Sequence, residues 1–174
     1  LTIELRGPIP TELRRGMGDW VFGCDVCQQV CPWNRDVPAS TEPAFAGSAE
    51  RAYPDLPGLL TLDTATFRSR FKGTPLFRTR RSGLLRNAAI ALGNWLTERQ
   101  ATDETARARS ALRHALADHE PIVRGAAAWA LGQAGHEAQS LQAALAGEAD
   151  PQVRDELIAA LSNNPTTATP QENR

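Results

Sequence analysis

A helical pattern that returns along the second half of the chain constrains the fold most. The copies at 121–132 and 151–161 align at a spacing of 30 residues, and a looser copy lies at 85–93. The two closer copies begin with proline, which is favourable in the first turn of a helix. Alanine and leucine dominate all three copies. The pattern predicts a mostly α-helical chain with a stacked solenoid of HEAT-like repeats; an ordinary helical bundle is the alternative.

Three closely spaced cysteines form the second informative feature. Cys24, Cys27 and Cys31 follow the pattern C-x2-C-x3-C-P. Thiolates are the usual protein ligands of iron–sulfur clusters, and in two-cluster ferredoxins the cysteine before the proline binds the other cluster. The pattern therefore predicts [4Fe–4S] clusters in the end of a ferredoxin-like domain. Three cysteines cannot complete one ordinary four-cysteine site, so we expect further ligands from polypeptide outside this chain.

Three further roles for the cysteines compete with iron–sulfur ligation. Their spacing of i, i+3 and i+7 also fits one face of a helix, where they would be small buried side chains. A zinc site lacks a nearby fourth ligand, because His114, His119 and His136 all lie in the repeats. The first two cysteines could form a redox pair, but no βαβ pattern surrounds them. The proline after the third cysteine favours iron–sulfur ligation.

Positive charge is concentrated in one stretch of a nearly neutral chain. Residues 64–86 contain seven basic side chains and no acidic one, whereas residues 1–63 and 87–174 are both net acidic. The basic residues are Arg68, Arg70, Lys72, Arg78, Arg80, Arg81 and Arg86. Because arginine binds phosphate through parallel hydrogen bonds and stacks on bases, the stretch predicts a surface for a polyanion. The alternative is a charge run that faces water or pairs with acids of the repeats.

The remaining sequence suggests a compartment and boundaries. No apolar run reaches the ~20 residues of a transmembrane helix, the start lacks the features of a signal peptide, and an odd cysteine count is a poor disulfide framework. We therefore predict a cytoplasmic protein without membrane contact, and we expect that the chain begins inside a longer protein. The predicted parts are the cluster domain at 1–36, a connector at 37–82, the repeats at 83–161 and a disordered tail at 162–174.

Local signals predict individual helices. The first follows Thr11 as its cap and is expected to bury Leu13, Met17 and Trp20, after an extended start of the chain. Further helices are predicted from Leu59 to Phe71, with a capping box that begins at Asp63 or Thr64, and at 103–117 and 137–146.

Three ordered motifs carry a resemblance to a known family. Residues 1–10, 23–34 and 84–94 closely resemble motifs of the epoxyqueuosine reductase family. That family reduces the epoxide of epoxyqueuosine to the cyclopentene of queuosine at the wobble position of tRNA, with cobalamin and two [4Fe–4S] clusters, and ends in HEAT-like repeats. The resemblance implies that this chain is the C-terminal part of such an oxidoreductase. It also implies that the catalytic acid lies outside the chain, which alone is expected to be inactive.

The resemblance also assigns roles to individual residues. It implies that Cys24 and Cys27 bind the cluster nearer the cobalamin, that Cys31 binds the distal cluster, and that the backbone around Cys24 and Asp25 approaches the cobalamin. The basic stretch and the resemblance together predict tRNA contacts at Arg6, Gly7, Pro8, Ile9, Arg78, Arg80, Arg81, Arg86 and Asn87. The implied partners are the anticodon stem-loop of tRNA and an external electron donor. We expect a monomer.

Two other functions fit part of the pattern. A corrinoid reductive dehalogenase also joins cobalamin to a ferredoxin-like module, but a small halogenated substrate needs neither the arginines nor the repeats. A ferredoxin-type electron carrier fused to a HEAT protein-binding module needs no RNA. Retention of tRNA, rather than of a small acidic protein, at moderate salt would separate the reductase from the carrier.

Overall fold

The computed structural model describes residues 1–38, 40–43 and 54–164. Within these ranges the chain contains nine α-helices and no strand, and the start predicted to be extended forms a turn at residues 2–4. The α-helices are α1 Thr11–Arg14, α2 Val26–Gln29, α3 Leu56–Leu59, α4 Thr64–Phe71, α5 Arg80–Leu96, α6 Asp103–Ala115, α7 Pro121–Ala134, α8 Ala138–Gly147 and α9 Pro151–Ser162, with short 3-10 helices at Pro32–Asn34 and Pro75–Thr79. None of these helices has the length and apolar character that a membrane crossing requires.

Helices α5, α7 and α9 form the central layer of the repeats. α5 packs along α7 and α7 along α9, while α6 lies against α7 and α8 against α9. This stacking of helices is a HEAT-like solenoid, so the predicted fold class is confirmed. The middle of α5 is enclosed on all sides, since every residue from 83 to 93 is buried. The short helix α3 covers part of α5 from outside the repeats.

Two glycines allow the central helices to approach closely. A Cβ atom on Gly93 would lie 2.8 Å from the Cα and Cβ atoms of Ala130, and a Cβ atom on Gly132 would lie 2.8 Å from the same atoms of Ala160. Carbon atoms in favourable contact are ~3.5–4.0 Å apart, so a side chain at either position would push the helices apart. Gly93 therefore sets the spacing of α5 and α7, and Gly132 sets that of α7 and α9.

Capping side chains explain where several helices begin. Oδ1 of Asp63 accepts a hydrogen bond from the N–H of Thr66 at 2.6 Å, which confirms one of the two predicted cap positions for α4. Thr102 and Thr105 form a reciprocal capping box at the start of α6. Asp150 accepts two backbone N–H groups at the start of α9. The observed bounds of α6 and α8 agree with the predicted ranges to within two residues.

The N-terminal segment is held against the repeats by a buried arginine together with apolar side chains. Of the three residues predicted to be buried, Met17 is 6% exposed and Trp20 is half-buried against the core. Arg14 is 3% exposed and donates to both carboxylate oxygens of Glu156 on α9, at 2.8 and 2.5 Å. Leu13, predicted to be buried, is 43% exposed, because α1 is a single turn that points Arg14 inwards instead. Thr11 is the first residue of α1 and not its cap, which is Pro10.

The predicted helix from Leu59 to Phe71 is two helices. α3 ends at Leu59, and the chain turns before Asp63 caps α4, so the pattern that looked continuous contains a break. Both parts are anchored by apolar side chains, since Leu59 and Phe67 are 3% exposed. Much of the predicted connector, at residue 39 and residues 44–53, lies outside the described residues.

The first residues of the predicted disordered tail belong to the solenoid. Ser162 belongs to α9, and Asn164 is 4% exposed. Nδ2 of Asn164 donates to the carbonyl oxygens of Gly132 and Ala160 at 3.0 and 3.1 Å, and its Oδ1 accepts the N–H of Glu137 at 3.1 Å. This buried amide joins three repeat helices or their ends, which fixes the chain as far as Asn164. Residues 165–174 lie outside the described ranges.

Candidate functional site

The cysteine segment lies on the surface and begins at a turn fixed by Gly23. Gly23 has a φ of 73°, a conformation that favours glycine. Its N–H donates to Oγ1 of Thr2 at 3.0 Å, so the segment is fastened to the start of the chain. Cys24 and Cys27 are exposed, Cys31 is half-buried, and all three thiols are free. This exposure contradicts the alternative in which the cysteines are small buried side chains of a helix face.

The three thiols fit part of a cluster site. Thiolate sulfur is the donor that iron–sulfur clusters take from proteins, and these sulfurs are accessible. No group of three or more histidine, cysteine or carboxylate side chains in the described part of the chain is arranged to hold a metal ion. The described residues therefore offer donors without a complete cage.

Exposed apolar side chains accompany the cysteines. Val30 is 68% exposed and Trp33 is 89% exposed, and Val26 and Val37 are also largely exposed. Large apolar side chains that are exposed along one segment mark a surface for another polypeptide or a ligand. The segment that offers the thiols therefore also offers an uncovered apolar face.

Arg86 and Asn87, predicted to bind tRNA, are both buried. They are 1% and 0% exposed on α5. Nη1 and Nη2 of Arg86 donate to the carbonyl oxygens of Leu1, Leu5 and Gly7, and Nδ2 of Asn87 donates to those of Thr2 and Val21, at 2.8 Å each for Asn87. The structure corrects the prediction, because buried side chains that are committed to backbone carbonyls cannot contact RNA. They hold the N-terminal segment on the repeats instead.

The guanidinium of Arg86 has no carboxylate among its hydrogen-bond partners in the described ranges. Burial, and after it the positive charge of Arg6, lowers the pKa of Arg86 to about 10. The side chain is still protonated at neutral pH. The protein therefore maintains a buried positive charge beneath the Arg6–Gly7 turn, solvated by backbone carbonyls.

Arg81 is also unavailable to phosphate. Its side chain is 11% exposed and pairs with Asp118, whose side chain is 7% exposed. Nε of Arg81 also donates to the carbonyl oxygen of Leu62 at 2.6 Å. Burial raises the pKa of Asp118, but the hydrogen bonds from Arg81 and from the N–H of Glu120 outweigh burial and hold that pKa below its ordinary value of 3.8. The prediction of a tRNA contact at Arg81 is corrected, since its charge is neutralised internally.

Three of the predicted arginines are exposed. The side chain of Arg78 is 67% exposed and pairs with Glu4, and Arg6 donates to the backbone carbonyl of Arg78 at 2.8 Å. Arg80 is exposed and has no side-chain hydrogen bond or ion pair with any described residue. Exposed ion pairs contribute only ~0–1 kcal/mol to stability, so a phosphate can displace Glu4 from Arg78. Arg6, Arg78 and Arg80 thus share one accessible basic surface.

The turn that follows Arg6 is only partly accessible. Pro8 is exposed, whereas Gly7 is half-buried and its carbonyl oxygen accepts from Arg86 at 2.5 Å. Ile9 is 1% exposed and belongs to the core. The predicted contact at Ile9 is therefore corrected, while Arg6 and Pro8 keep surface that a ligand can reach.

Sequence reasoning missed an aromatic residue among these arginines. A groove of about 470 Å³ lies between the N-terminal turn, α4 and the start of α5, and Arg6, Arg68, Arg80 and Phe77 line it. Phe77 is 38% exposed. The available signal was a phenylalanine within a stretch otherwise rich in arginine, a combination that suits stacking as well as charge.

Two known protein families match separate parts of the chain. The family described as 4Fe-4S double cluster binding domain matches residues 1–34, and the family described as HEAT repeats matches residues 76–162. The first match ends just after the cysteine segment, and the second covers the solenoid with the 3-10 helix before it.

Several relatives carry the same name. A protein of Alicycliphilus denitrificans is 41% identical over 76% of this chain, and one of Xanthomonas campestris is 37% identical over 78%; both are named epoxyqueuosine reductase. The matches cover 37% and 36% of those proteins, so the chain spans about a third of the relatives' length. A crystal structure of epoxyqueuosine reductase with an epoxyqueuosine-modified tRNA-Tyr stem loop matches 91% of this chain and 41% of its own, with a TM-score of 0.81 at 30% identity.

Proposed function

We propose that this chain, which belongs to the epoxyqueuosine reductase family, is the part of such a reductase that holds cluster ligands and contacts tRNA. The complete protein reduces epoxyqueuosine to queuosine at the wobble position of tRNA. The proposal includes two [4Fe–4S] clusters, cobalamin, an external electron donor, a monomeric state and a cytoplasmic location.

One observation carries the proposal: the donor segment and the basic surface are fixed to the same helix. Asn87 on α5 bonds the carbonyl of Thr2, and Oγ1 of Thr2 accepts the N–H of Gly23, the residue before Cys24. Arg80 lies at the first turn of the same helix. A redox enzyme that acts on RNA needs its electron path and its RNA contacts at a fixed separation, and α5 supplies that constraint.

The thiols supply ligands rather than catalysis. Cys24 and Cys27 are assigned to one cluster and Cys31 to a second, with the remaining ligands from polypeptide outside this chain. When bound, the clusters and cobalamin would supply the two electrons that removal of an epoxide oxygen requires. Cys24 and Asp25 are exposed, so their backbone is free to approach the cobalamin. No residue of this chain is assigned as the proton donor.

Arg6, Arg78 and Arg80 are assigned to the phosphates of the anticodon stem-loop. Each is exposed, and together they form a basic surface on an otherwise acidic chain. Phosphate contacts of this kind fix the position and orientation of a nucleic acid without reading its sequence. The role of the surface is to place the modified base at the reacting centre.

The two alternative functions are not favoured. The two relatives and the solved structure described above each match at least 76% of the chain and are named epoxyqueuosine reductase, and neither a dehalogenase nor a simple electron carrier accounts for that match.

A direct test uses the complete protein that contains this chain, purified without air. Wild type and the variants Cys24→Ser, Cys31→Ser and Gln29→Ala are incubated with epoxyqueuosine-containing tRNA and a reductant, and the nucleosides are analysed by mass spectrometry. We expect loss of one oxygen atom from the modified nucleoside with wild type and with Gln29→Ala, an exposed non-ligand between the cysteines. The cysteine variants should be inactive. Unchanged epoxyqueuosine in the wild-type reaction, from protein that contains iron, would refute the proposal.

A further inference from the structure

The groove beside α5 contains an aromatic platform. Phe77 stacks on Phe67 with ring centroids 5.7 Å apart and planes 15° from parallel. Phe67 is 3% exposed and also contacts Phe71 at 5.3 Å, so the lower ring is fixed in the core. Phe77 is 38% exposed and lines the groove. One ring thus supports the other from below, while Phe77 keeps accessible aromatic surface.

Unpaired positive charge lies beside this platform. Arg68 and Arg80 line the groove, are exposed, and have no side-chain hydrogen bond or ion pair with any described residue. Arg81 lines it too, but Asp118 neutralises that charge. The lining includes one acidic residue, Glu120, whose side chain is 43% exposed. The groove therefore combines an aromatic ring with two uncommitted guanidinium groups.

This combination selects among nucleic acids. Arginines alone would accept any phosphate, including that of a double helix. An aromatic ring adds ~1–3 kcal/mol only for a base that is free to stack, and bases inside a duplex already stack on each other. RNA recognition of this kind is directed at loops, where bases are splayed out.

We propose that this groove binds one unpaired nucleotide of the tRNA loop, with its base stacked on Phe77 and its flanking phosphates bound by Arg68 and Arg80. The inference rests on the proposed function, because it takes tRNA as the substrate. None of residues 24–31, which are assigned to the cofactors, lines the groove in the described part of the chain, so this nucleotide is a different one from the nucleotide that is reduced. The groove is thus a positioning subsite.

The test uses the complete protein and anticodon stem-loops that carry 2-aminopurine at one loop position at a time. The dissociation constant and the fluorescence quenching on binding are measured for wild type, Phe77→Leu, Phe77→Trp and the control Ile158→Ala, an exposed apolar residue on α9 that is 50% exposed. Phe77→Leu keeps apolar volume but removes stacking. We expect it to raise the dissociation constant about 5- to 100-fold and to abolish quenching at one loop position. Phe77→Trp and the control should keep the wild-type dissociation constant and the quenching.

The arginines give an independent readout. Arg68→Ala and Arg80→Ala should each reduce the slope of log affinity against log salt by about one, while Phe77→Leu leaves the slope unchanged. Wild-type affinity and quenching in folded Phe77→Leu would overturn the platform and leave the reductase assignment intact. If Phe77→Leu does not fold, loss of quenching in folded Phe77→Trp decides against stacking. A wild-type protein that does not bind the stem-loop overturns both proposals.

Discussion

Arg86 donates two hydrogen bonds to Oδ1 of Asn87, from Nε at 3.1 Å and from Nη2 at 2.9 Å. These adjacent side chains of α5 thereby orient each other. The remaining guanidinium N–H groups and the Asn87 amide are used on backbone carbonyls of residues 1–7 and 21. The pair is a structural clamp between the repeats and the segment that leads to the cysteines.

The first prediction concerns this clamp. Arg86→Met should lower the free energy of unfolding by about 2–4 kcal/mol, because it leaves three partly buried backbone carbonyls and the buried Asn87 amide oxygen without donors. Arg154→Ala is the matched control, since Arg154 also donates to backbone carbonyls but is exposed, and it should cost less than about 1 kcal/mol. Urea unfolding of the complete protein measures the free energy of unfolding of both variants. An equal loss of that free energy in the two variants would contradict the clamp.

The second prediction concerns helix spacing. Gly132→Ala should destabilise the protein by roughly 1–3 kcal/mol, because the added methyl overlaps Ala160. Gly147→Ala is the control: a Cβ atom there meets nothing within 4 Å, and alanine favours a helix over glycine by up to ~1 kcal/mol. Thermal unfolding is followed by circular dichroism. The midpoint temperature should fall for Gly132→Ala and not for Gly147→Ala. A neutral Gly132→Ala would mean that α7 and α9 can move apart freely.

The third prediction concerns the loss of stability at low pH. The pKa of Asp118 is held below 3.8 in the folded protein, so the carboxylate adds stability that is fully present above the unfolded pKa. That contribution is lost as the pH falls through the folded pKa, because the unfolded state then binds protons first. Asp118→Asn should therefore be less stable than wild type at pH 7, and the difference should narrow below about pH 4. Urea unfolding across a pH series measures the difference in unfolding free energy between the two proteins. If that difference is the same at every pH, the ion pair is excluded as its cause.

The fourth prediction separates exposed from committed arginines. Arg80→Ala should weaken stem-loop binding and lower its salt slope by about one without affecting stability. Arg81→Ala should destabilise the protein, because it leaves Asp118 buried without its partner. Binding in a salt series and urea unfolding, measured on both variants, test the distinction. A reduced salt slope in folded Arg81→Ala would show that the internal pair opens for RNA.

Sequence alone predicted those features that repeat or that act locally. The repeats were visible because proline, alanine and leucine recur at fixed spacing, and the α4 cap was visible because Asp63 acts on a residue three positions away. Arg86 was misjudged and the role of Arg14 was missed, because the partners of Arg86 lie up to 85 residues away and the partner of Arg14 lies 142 residues away. In the sequence, an arginine that points into the core looks the same as one that points into solvent. The one local signal of burial was the position of Arg86 within a helix that is otherwise rich in alanine and leucine.

The ligand set of the clusters could not follow from these residues. Spacing predicts the three thiols as ligands and two of them are exposed, but it names no other donors, and no group of three or more possible ligands occurs among the described side chains. A site assembled from separate polypeptide segments shows only the part that each segment carries.

Iron and acid-labile sulfide in the complete protein, purified without air, test the central assignment most directly. Two [4Fe–4S] clusters require about eight iron atoms per protein, with a brown absorption that Cys24→Ser and Cys31→Ser diminish. We expect that result for wild type and for the control Gln29→Ala. A colourless, iron-free wild-type protein that is folded would contradict the account.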